Sequence, residues 1–155
     1  MSKLLIMKKL ILITVLACFS AFGVIAQDND KLNDRDVPST VRDAFDKDYD
    51  NAMMVNWKKE DGKYMASFTK DLKKHFAKYS SSGELLAKGE KIEKDDLPAP
   101  IADALKTNYS GKEIDEAYTI EKGGKTLYKV SLEGTPKKKI IYDAEGKLVK
   151  EKTEQ

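Results

Sequence analysis

The amino-acid sequence predicts an α+β fold made of two tandem copies of one helix-and-strand unit. The first observation is an internal duplication, because Asp36-Val37-Pro38 recurs sixty residues later as Asp96-Leu97-Pro98. The second is a change of apolar spacing within each copy, from the period of a helix to the two-residue period of a strand. Strands that alternate in this way are apolar on one side, so we expect a sheet with helices on one face only.

The duplication extends beyond this tripeptide and places the two repeats at about residues 36–93 and 96–152. The matching pairs are Val41/Ile101, Asp43/Asp103, Ala44/Ala104, Phe45/Leu105, Tyr49/Tyr109, Tyr79/Tyr142, Gly83/Gly146, Leu85/Leu148 and Leu86/Val149. A short charged connector, Glu90 to Asp96, separates the copies. Because it is too short to let them move independently, we expect residues 27–155 to form a single domain.

Each copy begins with a predicted helix that has one apolar face. Val37, Val41, Ala44, Phe45 and Tyr49 have helical spacing, and their counterparts in the second copy repeat it. Pro38 and Pro98 fit the first helical turn, where a missing N–H costs nothing. The acidic residues before these prolines favour the positive end of the helix.

Three to four antiparallel strands are predicted after each helix. In the first copy Val55 and Trp57 alternate with polar residues, and Asp61-Gly62 forms a hairpin turn before the next alternating run. Further strands are predicted at His75 to Tyr79 and from Leu85 onwards. The second copy has the equivalent segments at Tyr118 to Ile120, Tyr128 to Leu132, Ile140 to Tyr142, and Leu148-Val149, with a turn at Gly123-Gly124.

Residues 1–26 have the pattern of a secretory signal peptide. Lys3, Lys8 and Lys9 precede an apolar stretch from Leu10 to Phe22, and cleavage is expected after Ala26. The alternatives are a membrane anchor, for which the apolar run is short, and acylation at Cys18, where the preceding residues fit a lipoprotein site poorly. We therefore expect a periplasmic or secreted protein without a stable membrane span after cleavage.

The composition excludes several classes of function. The predicted signal peptide carries three lysines and no acidic residue, so its removal changes the net charge of the chain from +2 to −1. Basic segments at residues 70–78 and 137–139 are interspersed with acidic residues, and we expect no nucleic-acid binding. The mature chain contains no cysteine, so neither disulfides nor thiolate metal sites are expected.

The duplicated pattern resembles that of the PepSY-like family, also described as β-lactamase-inhibitor-like. The residues that carry the resemblance are an acidic-x-Pro helix start, a helix ending in Tyr49, a Val55-x-Trp57 strand, a glycine hairpin, and a strand closing on Tyr79 with Gly83 after it. The resemblance covers Asp36 to about Val149. It implies small extracytoplasmic bacterial proteins with two tandem repeats, a concave antiparallel sheet, and no established activity or cofactor.

A search for catalytic or metal-binding patterns gives no complete set. His75 is the single histidine, and its alternating surroundings predict a half-exposed strand residue. Asp46, Asp48 and Asp50 have the spacing of a calcium loop, but Asn51 replaces the required glycine and Trp57 replaces the closing glutamate. We therefore expect a monomeric protein that is not an enzyme and uses neither a cofactor nor a metal ion.

The uncovered face of the sheet is the remaining candidate site. If Ala77, Tyr79, Ile140 and Tyr142 face the helices, alternation places a mixed apolar and cationic set on the other side, consisting of Met65, Phe76, Lys78, Lys129 and Ile141. The first hypothesis is a binding surface for an extracytoplasmic protein or peptide, which includes inhibition of an enzyme. The second is a small-ligand or metal-ion carrier that uses the cleft between the copies or the acidic segment from Asp46 to Asp50.

Overall fold

The computed structural model describes residues 31–154, which contain two α-helices and nine β-strands. In chain order these are β1 (Lys31–Leu32), α1 (Ser39–Asp48), β2 (Met53–Glu60), β3 (Lys63–Lys70), β4 (Lys73–Tyr79), β5 (Leu85–Ile92), α2 (Ala99–Asn108), β6 (Ile114–Lys122), β7 (Lys125–Leu132), β8 (Lys137–Asp143) and β9 (Leu148–Glu154). A short 3₁₀ helix precedes each α-helix, at Asp34–Asp36 and Lys94–Asp96. The predicted signal peptide, its cleavage site after Ala26, and Cys18 lie outside the described residues.

The nine strands form one open antiparallel sheet in which every strand pairs with its neighbours in the sequence. The α+β class and the antiparallel sheet are therefore confirmed. The two repeats meet where β5 pairs with β6, with Gly89 opposite Ile120 and Ile92 opposite Ala117. The prediction that Glu90 to Asp96 is a connector was wrong in part, because its first three residues belong to β5.

Both helices begin one residue later than the proline pattern predicts. Pro38 and Pro98 are the N-cap residues, with φ −53° and ψ 140° in each case, rather than members of the first turn. Their extended ψ angle places them outside the helix, while their carbonyl oxygens accept the first helical hydrogen bonds. The Pro38 oxygen, for example, accepts from the amides of Val41 and Arg42.

The apolar core consists of two clusters, one beneath each helix. Around α1 it contains Val37, Val41, Phe45, Trp57, Tyr64, Ala66, Phe68, Ala77 and Tyr79. Around α2 it contains Leu97, Ile101, Leu105, Ala117, Val130, Leu132, Ile140 and Tyr142. Each helix thus buries its apolar face against the strands that follow it, which is the arrangement expected for a one-sided sheet.

Both helices cover the same face of the sheet. Directly opposed residues of neighbouring strands share a face, and Ala77 of the first core lies opposite Lys88, which lies opposite Glu121. Alternate residues of a strand share a face, so Glu121 lies on the same side of β6 as Ala117 of the second core, four positions earlier. The opposite side of the sheet carries no helix in the described residues, and we call it the open face.

Candidate binding surface on the open face

The five residues predicted for the binding surface all lie on the open face. Met65 of β3 is opposite Lys78 of β4, and Lys129 of β7 is opposite Ile141 of β8. Phe76, also in β4, lies opposite Gly89 of β5. All five side chains are half-buried. The structure thus shows where they lie, while their role in binding a partner stays a prediction.

The two repeats meet on this face in a cluster of Phe76, Tyr118 and Lys129, which we call the aromatic–lysine cluster. The rings of Phe76 and Tyr118 have centroids 6.1 Å apart and are inclined by 61°, an edge-on geometry. The Lys129 Nζ lies 4.3 Å from the centroid of Tyr118 and 5.5 Å from that of Phe76. The ammonium group is therefore held by cation–π contacts to a residue from each repeat.

Gly89 allows this cluster to form. A Cβ atom at position 89 would lie 2.4 Å from Cε1 of Phe76 and 2.3 Å from the backbone oxygen of Thr119. Because glycine has no side chain, the Phe76 ring can lie over the β5 backbone and reach towards β6. One glycine in a central strand therefore brings an aromatic residue of the first repeat to the second.

A groove of about 460 Å³ runs beside the aromatic–lysine cluster. Its lining residues include Met54, Asn56, Met65, Phe76, Glu116, Tyr118 and Lys129. Met54 is 73% exposed and marks an irregularity in the pairing of β2 with β3, where its φ angle is +53°. Flexible methionine side chains and aromatic rings give this groove an adaptable apolar wall, while Glu116 and Lys129 supply charges.

Of the two charged groups Glu116 and Lys129 beside the groove, only Glu116 has an ion-pair partner among residues 31–154. Glu116 Oε1 lies 3.2 Å from the Nζ of Lys91 and 3.9 Å from that of Lys74. Lys129, in contrast, has no carboxylate within 4.0 Å among residues 31–154. Burial, and then the nearby charge of Lys139, lower the pKa of Lys129. An additional negative charge at this point would therefore be stabilised.

Sequence reasoning missed Tyr118, Gly89 and Glu116. Tyr118 lies on the open face, opposite Lys129. A glycine within a strand is a known signal of close approach by another group, and Gly89 gives that signal. Because Glu90 onwards is predicted as a connector, the sequence alone does not predict the pairing of β5 with β6.

Trp57 and His75 have structural positions in the first repeat. Trp57 is 3% exposed and belongs to the first core. His75 lies on the helix side of the sheet, is half-buried as predicted, and stacks on Phe68 with centroids 5.5 Å apart. Its Nε2 lies 3.2 Å from the carbonyl oxygen of Lys70. These contacts hold the imidazole within its own hairpin.

The acidic segment at the end of α1 does not converge on a point. Asp48 Oδ2 accepts a hydrogen bond from the hydroxyl of Tyr79 at 3.0 Å, and Asp50 Oδ1 is 3.2 Å from the Nζ of Lys70. Within residues 31–154 no group of three or more His, Cys, Asp or Glu side chains is arranged to hold a metal ion. These carboxylates stabilise the end of the helix and the adjoining hairpin.

Comparison with known proteins identifies the family. The sequence model of the family described as "Putative beta-lactamase-inhibitor-like, PepSY-like" matches residues 24–86 and 62–150. The chain therefore belongs to the PepSY-like family, and the resemblance found in the sequence is confirmed. The two overlapping matches are consistent with the internal repeat. No curated protein matches the chain significantly.

Solved structures from Bacteroides share the fold at low sequence identity. A protein from Bacteroides eggerthii, described as a putative periplasmic protein, has a TM-score of 0.68 and 16% identity, with 76% of this chain and 88% of that one covered. A BLIP-like protein from Bacteroides fragilis has a TM-score of 0.60 and 21% identity, with coverages of 75% and 86%. In the described part of this chain, neither helix is long and apolar enough to cross a membrane.

Proposed function

We propose that this protein is a non-enzymatic binding module that works outside the cytoplasm and docks a protein or peptide on its open face. The observation that carries the proposal is the aromatic–lysine cluster beside a groove on the open face. Aromatic residues and desolvated charges next to a concavity are the groups that dominate protein interfaces. The two helices stabilise the sheet from behind and leave this face available.

The family supports a location outside the cytoplasm and a role in binding. Its description refers to β-lactamase-inhibitor-like proteins, and one structural relative is described as periplasmic. Export by a signal peptide cleaved after Ala26 would place the mature chain, residues 27–155, in that compartment. Inhibition of an extracytoplasmic enzyme is one function that such a surface would serve, and a shared fold does not by itself choose among binding functions.

Affinity capture tests the proposal. The exported protein is immobilised, exposed to envelope and secreted extracts of the source cells, and the bound proteins are identified by mass spectrometry. A Phe76→Ala/Ile141→Ala variant removes apolar groups from the open face, and a Lys47→Gln variant changes an exposed lysine of α1 as the matched control. We expect a protein that is enriched by the native chain and by the Lys47 variant and lost with the open-face variant. Equal retention by all three, or no enrichment at all, would overturn the proposal.

A small-ligand carrier is the second candidate, and a cleft on the helix side favours it. This cleft of about 420 Å³ lies where the repeats meet and is lined by residues that include Asp48, Tyr49, Lys70, His75, Lys88, Glu90 and Glu121. Its mixed charges suit a small polar ligand. A thermal-shift screen of such compounds and of calcium tests this candidate, and a flat screen would dismiss it.

A further inference from the structure

The two faces of the sheet differ in charge although the chain as a whole is nearly neutral. Residues on the open face follow from the strand register, since opposed residues share a face and alternate residues of a strand do too. By this criterion the open face carries a broad set of lysines, which includes Lys58, Lys78, Lys91, Lys129, Lys139, Lys150 and Lys152. The helix side has many of the acidic residues, including those of α1.

The glutamates in the strands of the open face are already paired. Glu60 Oε2 lies 3.1 Å from the Nζ of Lys78, and Glu154 Oε1 lies 2.6 Å from that of Lys139. Glu116 is held by Lys91, as described above. Among the described residues, the lysines of this face that have no ion pair within 4.0 Å include Lys58, Lys129, Lys150 and Lys152. The face therefore has a surplus of positive charge that its own carboxylates do not neutralise.

Lys129 is the best placed of these four to anchor a negative group. Its ammonium contacts the rings of Tyr118 and Phe76, is half-buried, and adjoins the groove. The contacts with the rings leave the N–H groups of Lys129 available as donors. A carboxylate could accept hydrogen bonds from them. Such charge-assisted hydrogen bonds are strong at a partly desolvated position. The pairing of Glu116 with Lys91 reduces the repulsion that an incoming carboxylate would meet.

We propose that the open face recognises an acidic protein segment, which places a carboxylate on Lys129 and an apolar side chain in the adjacent groove between Met65 and Phe76. This inference rests on the proposed binding function and adds the chemistry of the partner. Charge complementarity selects an acidic ligand, and the methionine and aromatic wall of the groove selects one with an apolar residue beside the acid. A flat anionic membrane would contact the protruding lysines and leave the groove empty, so a protein segment fits better.

Peptide selection tests the inference with probes of known composition. An unbiased displayed library of peptides about 12 residues long, enough to span about 40 Å when extended, is selected on the exported protein. We expect selected peptides to be enriched in Asp and Glu next to an aromatic or aliphatic residue. Their affinity should fall about tenfold or more with Lys129→Gln, survive Lys129→Arg, and be unchanged by Lys47→Gln, because a charge-assisted hydrogen bond is lost only in the first variant. It should also fall as salt is raised.

Other outcomes separate this inference from the proposed function. Selection of neutral or basic peptides, or of acidic peptides that bind the Lys129→Gln variant equally well, would overturn the inference. If a protein is captured through the open face and its binding changes neither with salt nor with Lys129→Gln, the inference is overturned. The proposed binding function would still hold. If no peptide is selected but the protein co-sediments with vesicles that contain phosphatidylglycerol, the inference is overturned, and the ligand of the open face is an anionic lipid surface. Failure of both capture and selection would remove both proposals.

Discussion

Single residues distinguish the two repeats even where their sequences match. Tyr79 and Tyr142 occupy equivalent strand ends and both are buried. Asp48, at the end of α1, accepts the Tyr79 hydrogen bond, whereas the equivalent of Asp48 in the second repeat is Asn108. The Asn108 amide donates instead to the carbonyl oxygen of Ala104 at 2.9 Å. A charge-assisted hydrogen bond therefore ties helix to sheet in the first repeat and has no counterpart from Asn108 in the second.

This difference predicts unequal effects of removing the two hydroxyl groups. Tyr79→Phe should lower the free energy of unfolding by about 1–2 kcal/mol, because it deletes a hydrogen bond to a carboxylate. Tyr142→Phe is the matched control and should cost less, because Asn108, the equivalent of Asp48, donates to Ala104 instead. Urea denaturation followed by far-ultraviolet circular dichroism measures both. Equal losses for the two variants would show that the bond between Tyr79 and Asp48 contributes nothing specific.

A second residue-scale contact predicts how stability depends on pH. The Tyr109 hydroxyl donates to Glu151 Oε2 at 2.7 Å, and burial together with this hydrogen bond raises the pKa of Tyr109 to about 12. Lys138 and Tyr109 in turn lower the pKa of Glu151. The folded state therefore favours a neutral tyrosine, while the unfolded chain loses that proton near pH 10.

The stabilisation from this tyrosine should be complete below about pH 10 and lost as the pH rises towards about 12. Denaturation between pH 9 and about 11.5 should show a free energy of unfolding that falls with pH, less steeply in Tyr109→Phe than in the native chain. The slope is the informative quantity, because the variant also loses a hydrogen bond at every pH. An identical slope in the two proteins would contradict this role for Tyr109.

At the scale of elements, each helix is positioned by the turn between the last two strands of its repeat. Gly83 and Gly146 have φ angles of +83° and +80°. A Cβ atom at Gly83 would lie 2.6 Å from the backbone oxygen of Thr40, and one at Gly146 would lie 2.6 Å from that of Pro100. Both repeats thus use a glycine to bring the strand turn against the first turn of the helix.

Alanine at position 83 or 146 should destabilise the fold through backbone strain and a steric clash of the added Cβ atom. Gly83→Ala and Gly146→Ala should each cost at least about 2 kcal/mol, because a left-handed backbone and a blocked contact both oppose the new methyl group. Gly62→Ala is the control, since its φ is +71° but nothing lies within 4 Å of its added Cβ. It should cost only about 1 kcal/mol, the penalty of the left-handed backbone alone. Thermal denaturation compares the three, and equal costs would rule out the packing contribution.

The elements that could be predicted from sequence are those that build the cores. The spacing of Val41 and Phe45 in α1 identified the buried helix face, and the alternation of Ala77 and Tyr79 identified the buried side of β4. The end of β5 could not be predicted in this way. Its helix-side residues Lys88 and Glu90 lie between the two cores, so no apolar alternation marks the strand. Lys88 pairs instead with Glu121 at 3.1 Å.

At the scale of the whole molecule, the binding surface depends on how the repeats join. Alternation was enough to place Phe76 and Lys129 on one face, since that requires only the register within each repeat. Their proximity depends on the pairing of β5 with β6 and on the glycine at position 89, neither of which follows from the periodicity. Tyr118 completes the cluster only because this pairing brings β6 beside the first repeat.

The proposed function requires that the partner binds the open face of the sheet. Site-specific photo-crosslinking in the source cells tests this most directly, with p-benzoylphenylalanine placed at Lys58, beside Met65 on the open face, or at Lys47 on α1. Both positions are exposed, so they sample the two sides of the sheet equally well. We predict a discrete crosslinked protein from position 58 and none from position 47. Crosslinking from position 47 alone, or equally from both positions, would contradict the claim.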